Sequence, residues 1–318
     1  MITVDLQNAT SSEISDKMEA VFLATLNAGS LIINSLVFLL FYRKPTLRTF
    51  SNRFVLSLSL CHMVQSVLQM PYVVLSGLFG RWIFGQLWCN ISASLSICLC
   101  LITAFSLLLI AIDRCYAVNN PLHYTMTFNK KLNYLQIIGI WMISVILSLP
   151  PVLGLFRIEY RRSWHSCSIL WYSSTPSLVI YSTVLTISGF LVPFIKLCLT
   201  YRSMYLAAKK NSARARMYPY RKKLSSFKLG EEWRAIRTPL MVVTSHVVST
   251  LPFYLVLALE SYSKRYVRPD WLMSIVNIAL FSSSIINPYL YVFRNKTTKK
   301  ELRKLVYGKK EEGWLMGE

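Results

Sequence analysis

The chain has 318 residues, of which 54% are hydrophobic and only 15% charged, with a formal charge of +21. A soluble domain of this length carries more charge, and the apolar residues come in runs long enough to cross a bilayer, which takes about 20 residues. The composition excludes a large soluble domain; the basic residues sit in short segments between apolar runs, a mark of membrane topology and not of nucleic-acid binding.

The first 19 residues are polar and rather acidic, without the basic start or cleavage site of a signal peptide, and Asn8-Ala9-Thr10 is a glycosylation acceptor. Apolar runs then predict seven spans near 20–42, 52–77, 86–118, 132–155, 175–207, 234–260 and 270–293. The fold class is thus an all-α membrane protein: a tail over 1–19, a seven-helix bundle over 20–293 and a cytoplasmic segment over 294–318. In that last segment Leu302, Leu305 and Val306 share one side among many lysines. It reads as a short amphipathic helix on the inner leaflet, with a disordered basic tail as the alternative.

Placing the N terminus outside puts about three quarters of the Lys and Arg on the inner side, including Arg43, Lys44, Lys130, Lys131, the run Lys209 to Arg237 and the run Arg294 to Lys310. A multi-pass protein of the plasma membrane with an extracellular N terminus is expected. Span three then closes, in LLLIAIDRCYAVNNPL, on Asp113 and Arg114 at the inner end. Ionic residues in apolar sequence are costly unless they have a partner or a task. Ser212, Ser225 and Ser226, among basic residues, are candidate kinase sites.

Of seven cysteines, Cys61, Cys98, Cys100, Cys115 and Cys198 lie inside apolar runs, while Cys89 and Cys167 lie at a segment end and in a loop. No metal-ligand spacing is present, and the four histidines, His62, His123, His165 and His246, are scattered. An enzyme, a resident metal or a cofactor is therefore not expected. A transporter would want paired intramembrane charges or repeated halves; the mid-membrane ionisable residues are His62, His246 and Lys196, and no repeat is visible.

Seven spans with DRC at Asp113–Cys115 and NPYLY at Asn287–Tyr291 resemble the rhodopsin-like class of G-protein-coupled receptors over nearly the full chain. Asn34, Trp141, Pro193, Tyr201 and Pro252 stand where that class has its span-one asparagine, span-four tryptophan, span-five proline and tyrosine, and span-six proline. The resemblance implies a Cys89–Cys167 disulfide and a G-protein contact made by Arg114, Val118, Pro121 and Leu122. It implies an activation switch of Asp113, Arg114, Tyr201, Pro252, Asn287, Pro288 and Tyr291. Proline frees a carbonyl and bends a membrane helix, so Pro252 would let the inner half of span six swing outward. Glu232 stands where the class often has an acidic partner for the arginine, which suggests an Arg114–Glu232 latch; a solvated loop glutamate is the alternative.

The departures concern the switch and the pocket. His62 replaces the aspartate that helps bind sodium in the class, Thr250 replaces the span-six tryptophan and His246 a phenylalanine. The two histidines form either a proton-sensitive switch or neutral core residues. Ser96 replaces the aspartate of amine receptors, and Phe281 the retinal lysine of opsins; with Phe253 they are the expected ligand-pocket residues. The outer loops carry Arg157, Arg161, Arg162, Lys264, Arg265 and Arg268, which suit either an anionic ligand or solvated loops. The expected function is that of an orphan receptor, driven by an unknown extracellular ligand or constitutively active, that promotes nucleotide exchange on a heterotrimeric G protein. Arrestin and receptor kinases are further expected partners. A silent dimer partner is the alternative, and a transporter a weaker one.

Overall fold

The computed structural model describes the backbone of residues 2–120, 124, 130–172, 175–217, 222–266, 270–293 and 296–307. Within these it describes the side chains of 13–49, 52–120, 124, 131–172, 175–210, 237, 240–241, 243–266, 271–292 and 298–304. Among the described residues seven helices are long and apolar enough to cross a membrane: Glu13–Arg43, Asn52–Phe79, Gly85–Asn119, Lys131–Val152, Pro176–Lys210, Val243–Ser263 and Trp271–Val292. They are called spans one to seven. Span three runs through the middle and packs on spans two, four, five and six.

Side chains that pack the bundle and side chains that meet lipid are both apolar, so the helices carry little amphipathic pattern. The lipid-facing set is exposed, as at Leu135, Ile138, Ile146, Ile180 and Leu255. Helix-to-helix contact is made through small and polar residues. Asn34 in span one donates to the Ser284 carbonyl of span seven at 3.0 Å, Ser66 of span two donates to Ser30 at 2.7 Å, and Trp141 of span four donates to Ser57 at 3.0 Å.

Irregularities in the spans have local causes. Span two is broken into Phe50–Leu68 and Met70–Phe79, because Pro71 lacks the N–H that would continue the ladder. Span four ends at Val152 behind Pro150 and Pro151, short of the expected 155, and the chain turns out through Gly154 at φ 76. Span five carries a π turn over Ile187–Leu191 ahead of Pro193. There Gly189 packs so closely on span six that a methyl group would overlap the Tyr254 hydroxyl. Span seven passes from Asp270–Pro288 into a second π turn, Tyr289–Phe293, at the NPYLY motif.

Three features differ from or sharpen the hydropathy reading. The first helix begins at Ile2, so most of the polar tail continues span one. The helix of span six begins at Lys222, which carries it through much of the basic inner loop. After span seven, Lys296–Tyr307 forms a helix. Leu302 buries against Val37, Leu40, Phe41, Leu47 and Val292, and Lys44 pairs with Glu301 at 3.0 Å. The amphipathic helix, not the disordered tail, is the form found; the side chains of Leu305 and Val306 lie outside the described residues.

Between spans four and five lies a hairpin that hydropathy did not reveal. Strand β1, Ile158–Arg161, pairs antiparallel with β2, Ser166–Ile169, in the register Tyr160↔Cys167. They are joined by the turn Arg162–Trp164, with His165 at φ 48. Four-residue strands are too short to show alternation in a sequence.

Candidate ligand pocket and switch residues

The hairpin lies across one end of the bundle. Cys167 of β2 is bonded to Cys89 at the head of span three, Cα to Cα 5.3 Å, as the resemblance implied. Arg161 makes a two-pronged ion pair with Glu260 of span six, at 2.8 and 2.6 Å. The two side chains are 4% and 0% exposed. Arg161 also lies over the Tyr266 ring at 4.6 Å. Burial opposes the charge on Arg161, but the hydrogen bonds and charge of Glu260 outweigh it and hold the guanidinium above its usual pKa. Arg162 pairs with Asp16 at 2.7 Å and His165 with Glu19 at 3.2 Å, which ties the same loop to span one.

These ties drive Trp164 into the bundle. It packs among Val256, Met273 and Val276 and meets Phe253 edge-on at 5.8 Å. Asn277 of span seven donates to its carbonyl at 3.2 Å. Beneath the hairpin lies a cavity of ≈ 110 Å³, lined by the hairpin and by spans two, three, five, six and seven. The expected pocket residues Ser96, Phe253 and Phe281 all line it, as do His246 and Thr250 from the expected switch. Gln69, at the break in span two, donates to Ser96 at 2.6 Å. The lining among the described residues holds no Asp, Glu, Lys or Arg. The loop arginines Arg157, Arg161 and Arg162 pair with Glu159, Glu260 and Asp16, which removes the basis for an anionic ligand held by these three.

His62 is 1% exposed, next to Gln65 and within electrostatic reach of His246. All three replaced switch positions, His62, His246 and Thr250, are thus buried in the bundle. Thr250 donates back to the His246 carbonyl at 2.9 Å and makes no bulky plug there.

At the opposite end Asp113 is 2% exposed and accepts a bond from the Tyr124 hydroxyl at 3.0 Å. Burial and the Asp113 charge push that hydroxyl well above the usual tyrosine pKa. Arg114 reaches Tyr291 of span seven electrostatically, and Tyr291 reaches Tyr201 of span five. Tyr201 packs with Ala111, Leu197 and Val243, and Val118 with Met204 and Ala208. Asn287 is fully buried, and its side-chain amide has no hydrogen-bond partner among the described residues. Pro288 ends the regular part of span seven, while span six runs helical through Pro252. Pro121, Leu122 and the side chains of Glu232 and Asn8 lie outside the described residues, so the latch and the glycosylation site are not placed.

Sequence reasoning missed Gln69, Trp164 and the Arg161–Glu260 pair. Trp164 stands three residues before Cys167 in a polar loop, which was a usable signal. The pair joins residues 99 apart in sequence, and no local pattern announces it.

A family model described as 7 transmembrane receptor (rhodopsin family) matches residues 33–291. G-protein coupled receptor 161 of Homo sapiens is 28% identical over 301 residues, covering 86% of this chain and 56% of the relative. Melanopsin-B of Xenopus laevis is 26% identical over 288 residues, covering 90% and 54%. The alpha-1A adrenergic receptor of Oryzias latipes is 26% identical over 290 residues, covering 82% and 60%. The chain spans little more than half the length of these curated relatives.

Proposed function

The chain belongs to the rhodopsin family of seven-transmembrane receptors, and we propose that it is an orphan G-protein-coupled receptor. On this reading it promotes nucleotide exchange on a heterotrimeric G protein and catalyses no chemistry of its own. The observation that carries the reading is the placement of two sites on one set of helices. A cavity sits beneath the hairpin at the disulfide end of spans three, five, six and seven. At the other end Tyr201 of span five packs on Ala111 and Tyr291 of span seven packs on Leu107 and Ile110, all on the inner half of span three beside Arg114. A bias applied at the cavity reaches the cluster only through movement of those helices, and such a two-state element is what a ligand can shift.

Trp164 of the hairpin packs edge-on against Phe253 of span six at the cavity wall. The chain's own loop therefore biases span six, and signalling without added ligand is the expected behaviour. The disulfide end and the N terminus face outward at the plasma membrane, with Asn8 available for glycosylation and the basic inner segments facing the acidic leaflet. Arrestin and receptor kinases complete the partners, the latter acting on Ser212, Ser225 or Ser226.

Nucleotide exchange on purified G proteins, with cAMP and calcium as cellular readouts, tests the reading. Wild type and Arg114→Ala are compared at matched surface level. Basal exchange in the wild type that drops at least tenfold in Arg114→Ala supports a receptor switched through Arg114, and the responding channel names the coupling class. Equal output of the two in every channel refutes the switch and favours a silent partner.

A further inference from the structure

We propose that Asn119 and Cys115 clamp the inner end of span three to span five, and that this clamp holds the start of the following inner loop in the position from which it receives the G protein. Resting on the receptor reading above, the clamp gives the two residues a positioning role beside Arg114.

Spacing puts two pairs of polar side chains opposite one another. Cys115 and Asn119 stand at i and i+4 of span three, Thr200 and Ser203 at i and i+3 of span five, so each pair shares one face of its helix. Apolar packing seats the two faces: Cys115, Val118 and Tyr201 pack against the buried Met204 and Ala208. The hydrogen bonds then fall into one order. The Cys115 thiol gives its hydrogen to the Thr200 carbonyl at 3.6 Å, so towards Asn119 its sulfur can only accept. It takes one amide N–H of Asn119 at 3.2 Å, and Ser203 Oγ takes the other at 3.0 Å. These partners fix the orientation of the Asn119 amide, with Nδ2 towards span five. A thiol is a weak partner, so the Asn119–Ser203 bond is the stronger rung of the clamp.

What the clamp holds follows from where Asn119 stands. It is the last residue of the span-three helix, and the carbonyls of a last helical turn have no partner further along the helix, so an untied end frays. A side chain of that last residue bonded to a neighbouring helix opposes the fraying. From this fixed end the chain turns back on itself. The Asn120 N–H donates to the Tyr116 carbonyl at 2.9 Å and the Tyr124 N–H to the Asn120 carbonyl at 2.9 Å. The Tyr124 hydroxyl then closes on Asp113 at 3.0 Å. Pro121 and Leu122, the expected G-protein contacts, stand between Asn120 and Tyr124 in the sequence. The segment that carries them is therefore tied at its near end to span five, through Asn119, and at its far end to span three, through Tyr124.

The test uses the full chain in lipid nanodiscs and two readouts, one of them free of G protein. Asn119→Leu keeps the side-chain size and removes the amide, Ser203→Ala removes the acceptor and Ser203→Thr keeps it. Losing one such hydrogen bond shifts an equilibrium by about three- to tenfold. Hydrogen exchange at the Asn120 and Tyr124 amides, followed without G protein, is expected to quicken by about that factor in Asn119→Leu and in Ser203→Ala. Nucleotide exchange is then measured against the concentration of purified G-protein heterotrimer. The half-maximal concentration should rise about three- to tenfold in the same two variants, because the loop is in place for a smaller fraction of the time. The maximal rate should stay within about twofold of the wild type, unlike that of Arg114→Ala. Asn119→Leu with Ser203→Ala should be no worse than Asn119→Leu alone, and Ser203→Thr should match the wild type. If Asn119→Leu does not fold, the comparison of Ser203→Ala with Ser203→Thr decides. Unchanged amide exchange overturns the clamp and leaves the receptor reading standing. Faster amide exchange with an unchanged half-maximal concentration overturns the docking role in favour of a purely structural contact. A wild type that drives no nucleotide exchange refutes the receptor reading and the docking role with it, while amide exchange still decides the clamp.

Discussion

Replacing Glu260 by glutamine removes one charge from the ion pair that holds the hairpin to span six. Both partners are almost fully buried, at 4% and 0% exposure, and the pair is joined by two bonds of 2.6 and 2.8 Å. Glutamine keeps the size and one acceptor but leaves the Arg161 charge without its counter-charge. Breaking a buried pair from one side costs about 3–5 kcal/mol, mostly through the stranded charge. The Tyr266 and Trp164 rings over Arg161, at 4.6 and 5.7 Å, offset roughly 1 kcal/mol of that. A net loss of about 2–4 kcal/mol remains, which for a chain of this size lowers the melting temperature by roughly 4–8 °C. The assay is thermal unfolding in nanodiscs followed by a thiol-reactive dye, since Cys61 and Cys98 are buried and free until the bundle opens. If the loss comes from the stranded charge, Arg161→Met combined with Glu260→Leu should recover most of it. A Glu260→Gln chain that melts within about 1 °C of the wild type would refute the reasoning, and so would a double variant as unstable as the single one.

Three further outcomes are expected. Trp164→Ala empties a buried aromatic site, costs about 3–5 kcal/mol and, at matched surface level, lowers basal exchange; unchanged basal exchange would remove the loop from the switch. Gly189→Ala places a methyl on the Tyr254 hydroxyl and the Leu101 side chain and costs about 1–3 kcal/mol by overpacking, read as melting temperature, and Tyr254→Phe added to it should restore part of the loss, the contact with Leu101 remaining. Tyr124→Phe removes the hydroxyl that bonds the buried Asp113 carboxylate; a bond to a charged group contributes about 1.5–3 kcal/mol when fully buried. The carboxylate released in this way becomes available to the adjacent Arg114, so basal exchange should fall roughly three- to tenfold, and a rise would refute this reading of Asp113.

Much of this was legible because a bilayer forces it. An apolar run of about 20 residues can only be a helix there, so the number of spans and the bounds of spans two, three, four, five and seven were legible to within about three residues, while spans one and six begin seven and nine residues from where hydropathy put them. The Cys89–Cys167 bond and the pocket set Ser96, Phe253 and Phe281 followed from the family resemblance. The structure forms that bond, and the three residues all line the cavity beneath the hairpin.

Other features were decided by contacts between segments far apart in the chain. Apolar content fixed which stretches are helices, but it says nothing about which face of each meets protein and which meets lipid, since both faces are apolar. The break at Gln69 and the π turn at Gly189 depend on how neighbouring helices close around them. The same holds for the outer arginines, read in sequence as a basic patch. Only the folded hairpin brings Arg161 to Glu260 and thereby sends Trp164 into the bundle. Apolar runs and the motif at the end of span seven were enough for the membrane fold. Folding alone sets the hairpin over a pocket whose described lining carries no Asp, Glu, Lys or Arg, because pairing of buried charges is a matter of distance in space.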